Sequence, residues 1–328
     1  MSQPNQAIYT GPGKTFLGQN NVALQANGAT GPVKLSLNEK TDDAGASQFG
    51  KLTETEGDMS AEIDVTPFPS WSLLPSLFPP FLGVTTASGP GYGAGALAIG
   101  TRPHGSVNVA SKIWTPDGRL YTACRTAIIG HPPLKLGTGE NLFGAVKISC
   151  LQDRSTAQAP ILAITESGAP DPGGVFTLAD FIRGRWYAAW GTNAGFGGDG
   201  GALMEGEDGI DIVPDIKYSP RLIQKVTAHY VLDSVAFMVK LRPAGPTQTQ
   251  INAAILAHTT GSRYGAGINA APLVLTGPNA KTITTSTAEI KGAGFEFGGT
   301  KLGNGEIGFV VAMNFTNGVP QPLLTFSA

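Results

Sequence analysis

Residues 58–67 read Asp58-Met59-Ser60-Ala61-Glu62-Ile63-Asp64-Val65-Thr66-Pro67, and residues 234–243 read Ser234-Val235-Ala236-Phe237-Met238-Val239-Lys240-Leu241-Arg242-Pro243. Both alternate with period two, as a strand with one buried face does, and both stop at a proline, which cannot donate to a sheet ladder. A shift of 176 residues lays Met59, Ala61, Ile63, Val65 and Pro67 on Val235, Phe237, Val239, Leu241 and Pro243. The other face carries Asp58, Ser60, Glu62 and Asp64 in the first segment, and Ser234, Ala236, Met238 and Lys240 in the second. A short helix is expected after each. Ser70 caps a turn carrying Trp71, Leu74, Leu77 and Phe78, shortened by Pro75; Thr247 caps one carrying Ile251, Ala254, Ile255 and Ala257.

The similarity continues downstream. A shift of 161 residues lays 113–150 on 274–311 without a gap. Ile113-Trp114-Thr115 falls on Val274-Leu275-Thr276, and the turn Pro116-Asp117-Gly118 on Gly277-Pro278-Asn279. Leu134-Lys135-Leu136-Gly137 falls on Phe295-Glu296-Phe297-Gly298. Identity is low, but the order of apolar and turn positions is kept, as in a duplicated unit. The repeat predicts a mainly β chain of two tandem antiparallel β-sandwich or barrel domains, residues 1–165 and 175–328, with a linker over 166–174. Each is expected to pack one short helix against its sheet.

Strands are expected over 32–37, 58–66, 112–114, 120–128, 133–136 and 145–151 in the first copy. In the second they are expected over 185–191, 209–217, 226–242, 273–275, 282–290, 294–297 and 306–315. Residues 38–57 read as a long polar loop around an isolated Phe49, and 83–109 as a small, Gly-rich one. Loops of this length usually serve a function or are ordered by a partner.

Composition narrows the function classes. Hydrophobic residues make up 41% of the 328, enough for sizeable cores, while only 14% are charged, which suits a surface hidden in an assembly. The 45 glycines and 24 prolines lack a collagen-like period and point to many turns between short strands. A net charge of −2 offers no global field for nucleic acid. No apolar run is long enough to cross a bilayer, and the amino terminus lacks the pattern of a signal peptide, so a cytoplasmic product is expected. In that setting Cys124 and Cys150 read as reduced, packed side chains.

The chemistry of an enzyme is hard to find. Gly13-Lys14-Thr15 lacks the glycine that a phosphate-binding loop needs four residues before its Gly-Lys pair, because Ile8 and not glycine precedes it there. His104, His131, His229 and His258 are scattered, without metal-ligand spacing. No serine sits in a nucleophile elbow. Glu205, Glu207, Asp208 and Asp211 read as a solvated turn, the alternative being a cation site or a contact with another subunit. Neither a catalytic set nor a cofactor or metal site is expected.

Several stretches resemble the major tail tube proteins of long-tailed bacteriophages. They are Arg185-Trp186-Tyr187-Ala188-Ala189-Trp190-Gly191, the strand over 209–217, the strand–proline–helix block through Pro243, and the carboxyl end from Gly294-Phe295-Glu296-Phe297-Gly298 through Phe326. The resemblance is one of strand and turn pattern and extends over most of the chain. It implies a tail-tube-like fold, and a virion tail protein assembled in the host cytoplasm. Its subunits form stacked rings whose inner sheets join into one β-barrel around a channel for DNA passage. The partners implied are further copies of the chain, tape measure, terminator and baseplate proteins, and transient, non-specific contact with phage DNA; no membrane is involved.

Members of that family carry one tube domain and form hexameric rings, so a tandem duplication implies a homotrimer with a pseudo-hexameric ring. Closure of such a ring removes exposed sheet edges. On this resemblance Asp58, Ser60, Glu62 and Asp64 face the lumen, where carboxylates repel DNA phosphates. Asp42, Asp43, Phe49, Lys51 and Glu54 contact the next ring, with Phe49 as the apolar anchor. The alternatives are another tail component, such as a baseplate or terminator protein, and a two-domain β-sandwich binding module.

Overall fold

A computed structural model of the chain describes residues 13–18, 21–25, 32–46, 50–86, 95–103, 110–137, 143–152, 160–173, 184–191, 204–223, 226–244, 270–295 and 304–327. These form a mainly β protein of antiparallel sheets with one short helix. The first half carries β1 (Lys14–Leu17), β2 (Val22–Gln25), β3 (Lys34–Ala46), β4 (Gly50–Val65), β5 (Val84–Thr86), β6 (Ser111–Trp114), β7 (Leu120–Ala123), β8 (Arg125–Gly130), β9 (Leu134–Leu136), β10 (Val146–Leu151) and β11 (Leu162–Thr165). The second carries β12 (Tyr187–Trp190), β13 (Met204–Ile223), β14 (Val226–Ala244), β15 (Ala270–Ala271), β16 (Leu273–Thr276), β17 (Thr282–Thr285), β18 (Thr287–Phe295), β19 (Asn304–Ala312), β20 (Phe315–Thr316), β21 (Val319–Pro320) and β22 (Leu324–Ser327).

Two runs of strands keep their order in both halves. One sheet runs β3-β4-β10-β8 and its counterpart β13-β14-β19-β18. The same rung crosses both: Leu35, Ile63, Ile148 and Ile128 in the first, Ile212, Val239, Phe309 and Ile290 in the second. A second run of strands, β1-β6-β7-β11, forms its own sheet in the first half; its counterpart β12-β16-β17-β22 is joined through β12–β13 pairing to the first run in one eleven-stranded sheet. The shift of 176 holds between β4 and β14.

The gapless shift of 161 does not hold throughout. The Thr115 amide donates to the Arg119 carbonyl as that of Gly277 does to Lys281, so the turn is displaced by 162, and Ile128 matches Ile290 by the same shift. The pair Leu134↔Phe143 matches Phe295↔Asn304 at 161. The first half therefore holds one more residue between Ile128 and Leu134. That residue lies in the bend His131-Pro132-Pro133, which splits β8 from β9 where β18 runs on.

Other expectations are corrected in the same way. Residues 38–57 are not a loop: β3 and β4 pair from Lys34↔Asp64 out to Ala46↔Gly50 as a two-stranded ribbon. The strand expected over 120–128 breaks at Cys124, and that over 282–290 breaks at Ser286, its repeat equivalent. The strand expected over 306–315 ends at Ala312, and Phe315 belongs to the small β20–β21 hairpin. Part of 83–109 forms β5 and the Leu82↔Leu97 bridge.

Between β4 and β5, a 3-10 turn Trp71–Leu73 leads into α1 (Leu74–Leu77). Ser70 precedes it with extended backbone, but its hydroxyl lies 2.8 Å from Ser72 Oγ instead of capping a backbone amide. Pro75 sits in the first turn, where its missing N–H costs nothing. The second helix expected, after Thr247, lies outside the described residues.

The core runs across both halves. Trp71 stacks on Trp186 with ring centroids 6.2 Å apart and meets Phe326 edge-on at 5.8 Å. Strand β5 adds in parallel to β22, and β9 adds antiparallel to β13. Both additions place first-half strands on second-half edges. Residues 166–173 fold back on the first half through a Lys14–Asp171 ion pair and a bond from Trp114 Nε1 to the Ala169 carbonyl, 3.1 Å.

Candidate assembly surfaces

On β4 the apolar face is buried: Ala61, Ile63 and Val65 are each about 1% exposed. Ser60, Glu62 and Asp64 share the opposite face and are half-buried; the Asp58 side chain lies outside the described residues. The carboxylates there have basic neighbours. Glu62 Oε2 lies 3.1 Å from Lys147 Nζ, and its hydrogen bond holds the Lys147 ammonium above its ordinary pKa. Lys34 and Lys147 flank Asp64 on the adjoining strands. In the second half Lys240 pairs with Glu306 at 3.5 Å. This face is a mosaic of both signs rather than an acidic lining, which lowers its repulsion for a polyanion.

Higher on the same face the sheet is covered. Ser149 and Ala127 are nearly inaccessible, and the Ser149 hydroxyl lies 3.4 Å from that of Tyr230 on β14. Leu232, also on β14, is fully buried; its carbonyl accepts from Gly100 and its amide donates to Thr101. The second-half ribbon thus lies over the first half.

The ribbons recur with matched length. Beyond the rung through β10, β3–β4 extends as a two-stranded pair, and β13–β14 extends likewise to Ile223↔Val226. Asp42 lies opposite Thr55, Asp43 opposite Glu54, and Lys51 opposite Gly45. Those positions are therefore brought together on one arm. Phe49 lies outside the described residues.

His131, one of four scattered histidines in the sequence, is a joint between the halves. Its Nδ1 lies 2.7 Å from the Leu77 carbonyl, its Nε2 lies 2.6 Å from the Tyr218 hydroxyl, and its ring stacks on Phe78. Burial lowers its pKa to about 4. The Pro132-Pro133 that follows was the available signal, since it forces the strand to bend. Beside it is an apolar cleft of about 280 Å³ lined by Leu17, Val22, Pro79, Phe81 and Ile128.

Cys124 and Cys150 are free thiols, and burial pushes that of Cys150 up to about 12. Among the described residues no group of three or more His, Cys, Asp or Glu is placed to hold a metal ion. No helix there is long and apolar enough to cross a membrane. No protein-family model matches the sequence, and no curated protein matches it.

Proposed function

We propose that the protein is a structural subunit of a phage tail tube, three copies closing a pseudo-hexameric ring and rings stacking around a channel for DNA. The observation that carries this reading is the joint between the repeats. The strand order β3-β4-β10-β8 of the four-stranded sheet recurs as β13-β14-β19-β18 within the eleven-stranded one, and β9, which follows β8 after the His131 bend, pairs with β13. A repeated unit that adds edge to edge has no built-in end, so it forms a ring where the rotation closes and a filament where it does not. On this reading the chain is not an enzyme and needs no cofactor. Its partners are its own copies, tape measure, terminator and baseplate proteins, and passing DNA met without sequence preference.

Electron microscopy of the purified protein, paired with mass measurement of the smallest ring, tests the proposal. Stacked rings of three chains with a central channel are expected. Single rings that never stack would move the protein to a terminator or baseplate role, and monodisperse monomers at high concentration would overturn it.

A further inference from the structure

Within one chain, the first half closes two edges of the second. Strand β9 covers the edge of β13, with Leu134 opposite Ile212 and Leu136 opposite Ile210, and both isoleucines are buried. Strand β5 covers the edge of β22, where Phe326 is 1% exposed beneath Trp71 and Phe78.

The equivalent edges of the first half have nothing on them among the described residues. Strand β3 ends its sheet, and β11 ends its own. The rungs make Leu35 the equivalent of Ile212 and Val33 that of Ile210; both are only half-buried. Leu37, next on the same face, is 71% exposed although its cross-strand partner Ala61 is buried. The ladders Tyr121↔Ile164 and Ile283↔Phe326 make Ile164 the equivalent of Phe326, yet Ile164 is 50% exposed. A sheet edge with apolar side chains left in water is a template for another strand.

The donor is at the other end of the molecule. Phe295 occupies the place of Leu134, since each pairs with an equivalent residue, Asn304 or Phe143. Among the described residues no strand pairs with the outer edge of β18 past Glu289.

We infer that β3 and β11 form the receiving face for a second copy of this chain, whose β18 end adds antiparallel to β3 with Phe295 opposite Leu35. The register is that of the internal joint: Leu134 on Ile212 becomes Phe295 on Leu35. The contact is heterologous, one end of a chain meeting the other end of the next, so it closes a ring or propagates. This rests on the reading of the chain as a ring subunit and specifies which strands meet and in which register.

The test is a cysteine pair, Leu35→Cys with Phe295→Cys, oxidised after assembly. Directly opposed residues on neighbouring strands lie within disulfide reach, whereas positions two residues out of register lie beyond it. Covalent multimers ending in a closed trimer are expected on a denaturing gel. Leu35→Cys with Ala293→Cys, and each single variant, should stay monomeric there. A second variant leaves the internal core untouched: Ile164→Asp, at an exposed position, should abolish rings while keeping the parent's unfolding temperature. Rings by microscopy without the cross-link, or rings that survive Ile164→Asp, overturn the inference and leave the ring reading standing. Absence of any oligomer from the parent protein overturns both.

Discussion

His131 ties the two halves together through both of its ring nitrogens, and this makes its protonation a stability term. Nδ1 faces a carbonyl and must carry the hydrogen, so Nε2 is the acceptor for the Tyr218 hydroxyl. A second proton would have to displace Tyr218 and leave a cation among Phe78 and Leu77. Burial accordingly lowers its pKa from 6.5 to about 4. Because the folded form takes up the proton at lower pH than the unfolded chain, the contribution is complete above about pH 6.5. It is lost as pH falls toward 4, in all roughly 3 kcal/mol. Thermal unfolding between those limits should show Tm falling steeply, and His131→Gln, which cannot ionise, should flatten that fall. A variant as acid-sensitive as its parent would assign the effect to other groups.

At the scale of elements, the two ribbons are the same device with opposite charge. Residues 38–57 hold Glu39, Asp42, Asp43, Glu54 and Glu56 against Lys40 and Lys51, while residues 217–233 hold Lys217, Arg221 and Lys225 against Asp233. If the acidic arm meets the next ring, stacking should weaken with salt, since the screening length shrinks to about 3 Å at 1 M. Asp42→Lys with Asp43→Lys should leave rings intact and shorten tubes at low salt; tubes of unchanged length would remove the acidic arm from the stacking contact. The arms also mark where the sequence stops being readable. Alternation identified β4, β10, β14 and β19 because each sets one face on the core. In the ribbon over 38–57, Thr53-Glu54-Thr55-Glu56 shows no apolar period, so the stretch reads as loop. Strands β1, β2, β11 and β22, four residues each, were missed; β6 and β16, equally short, were read because the repeat aligns them. The joint at His131 was invisible for a different reason: its partners Leu77 and Tyr218 are distant in sequence, and only the bend at Pro132-Pro133 hinted at it.

For the molecule as a whole, the two halves share one hydrophobic core. Phe326 is covered by Trp71 and Phe78 from the other half, and Ile210 and Ile212 by Leu134 and Leu136. Each such side chain buried against the partner half is worth roughly 1.5–3 kcal/mol relative to exposure, and several together rival the whole stability of a small domain. A chain cut between Gly173 and Gly174 therefore should not yield two stable domains. Residues 1–173 and 174–328 expressed apart should each expose apolar surface, bind a hydrophobic dye and aggregate. Co-expressed, they should form a one-to-one complex with a single unfolding transition. The asymmetry within the pair is informative too. The second half loses the strands that cover β13 and β22, whereas the edges of β3 and β11 are open in the intact chain already. Fragment 174–328 should thus be the less stable of the two. Two monodisperse fragments, each with its own cooperative transition, would show that the shared core contributes little.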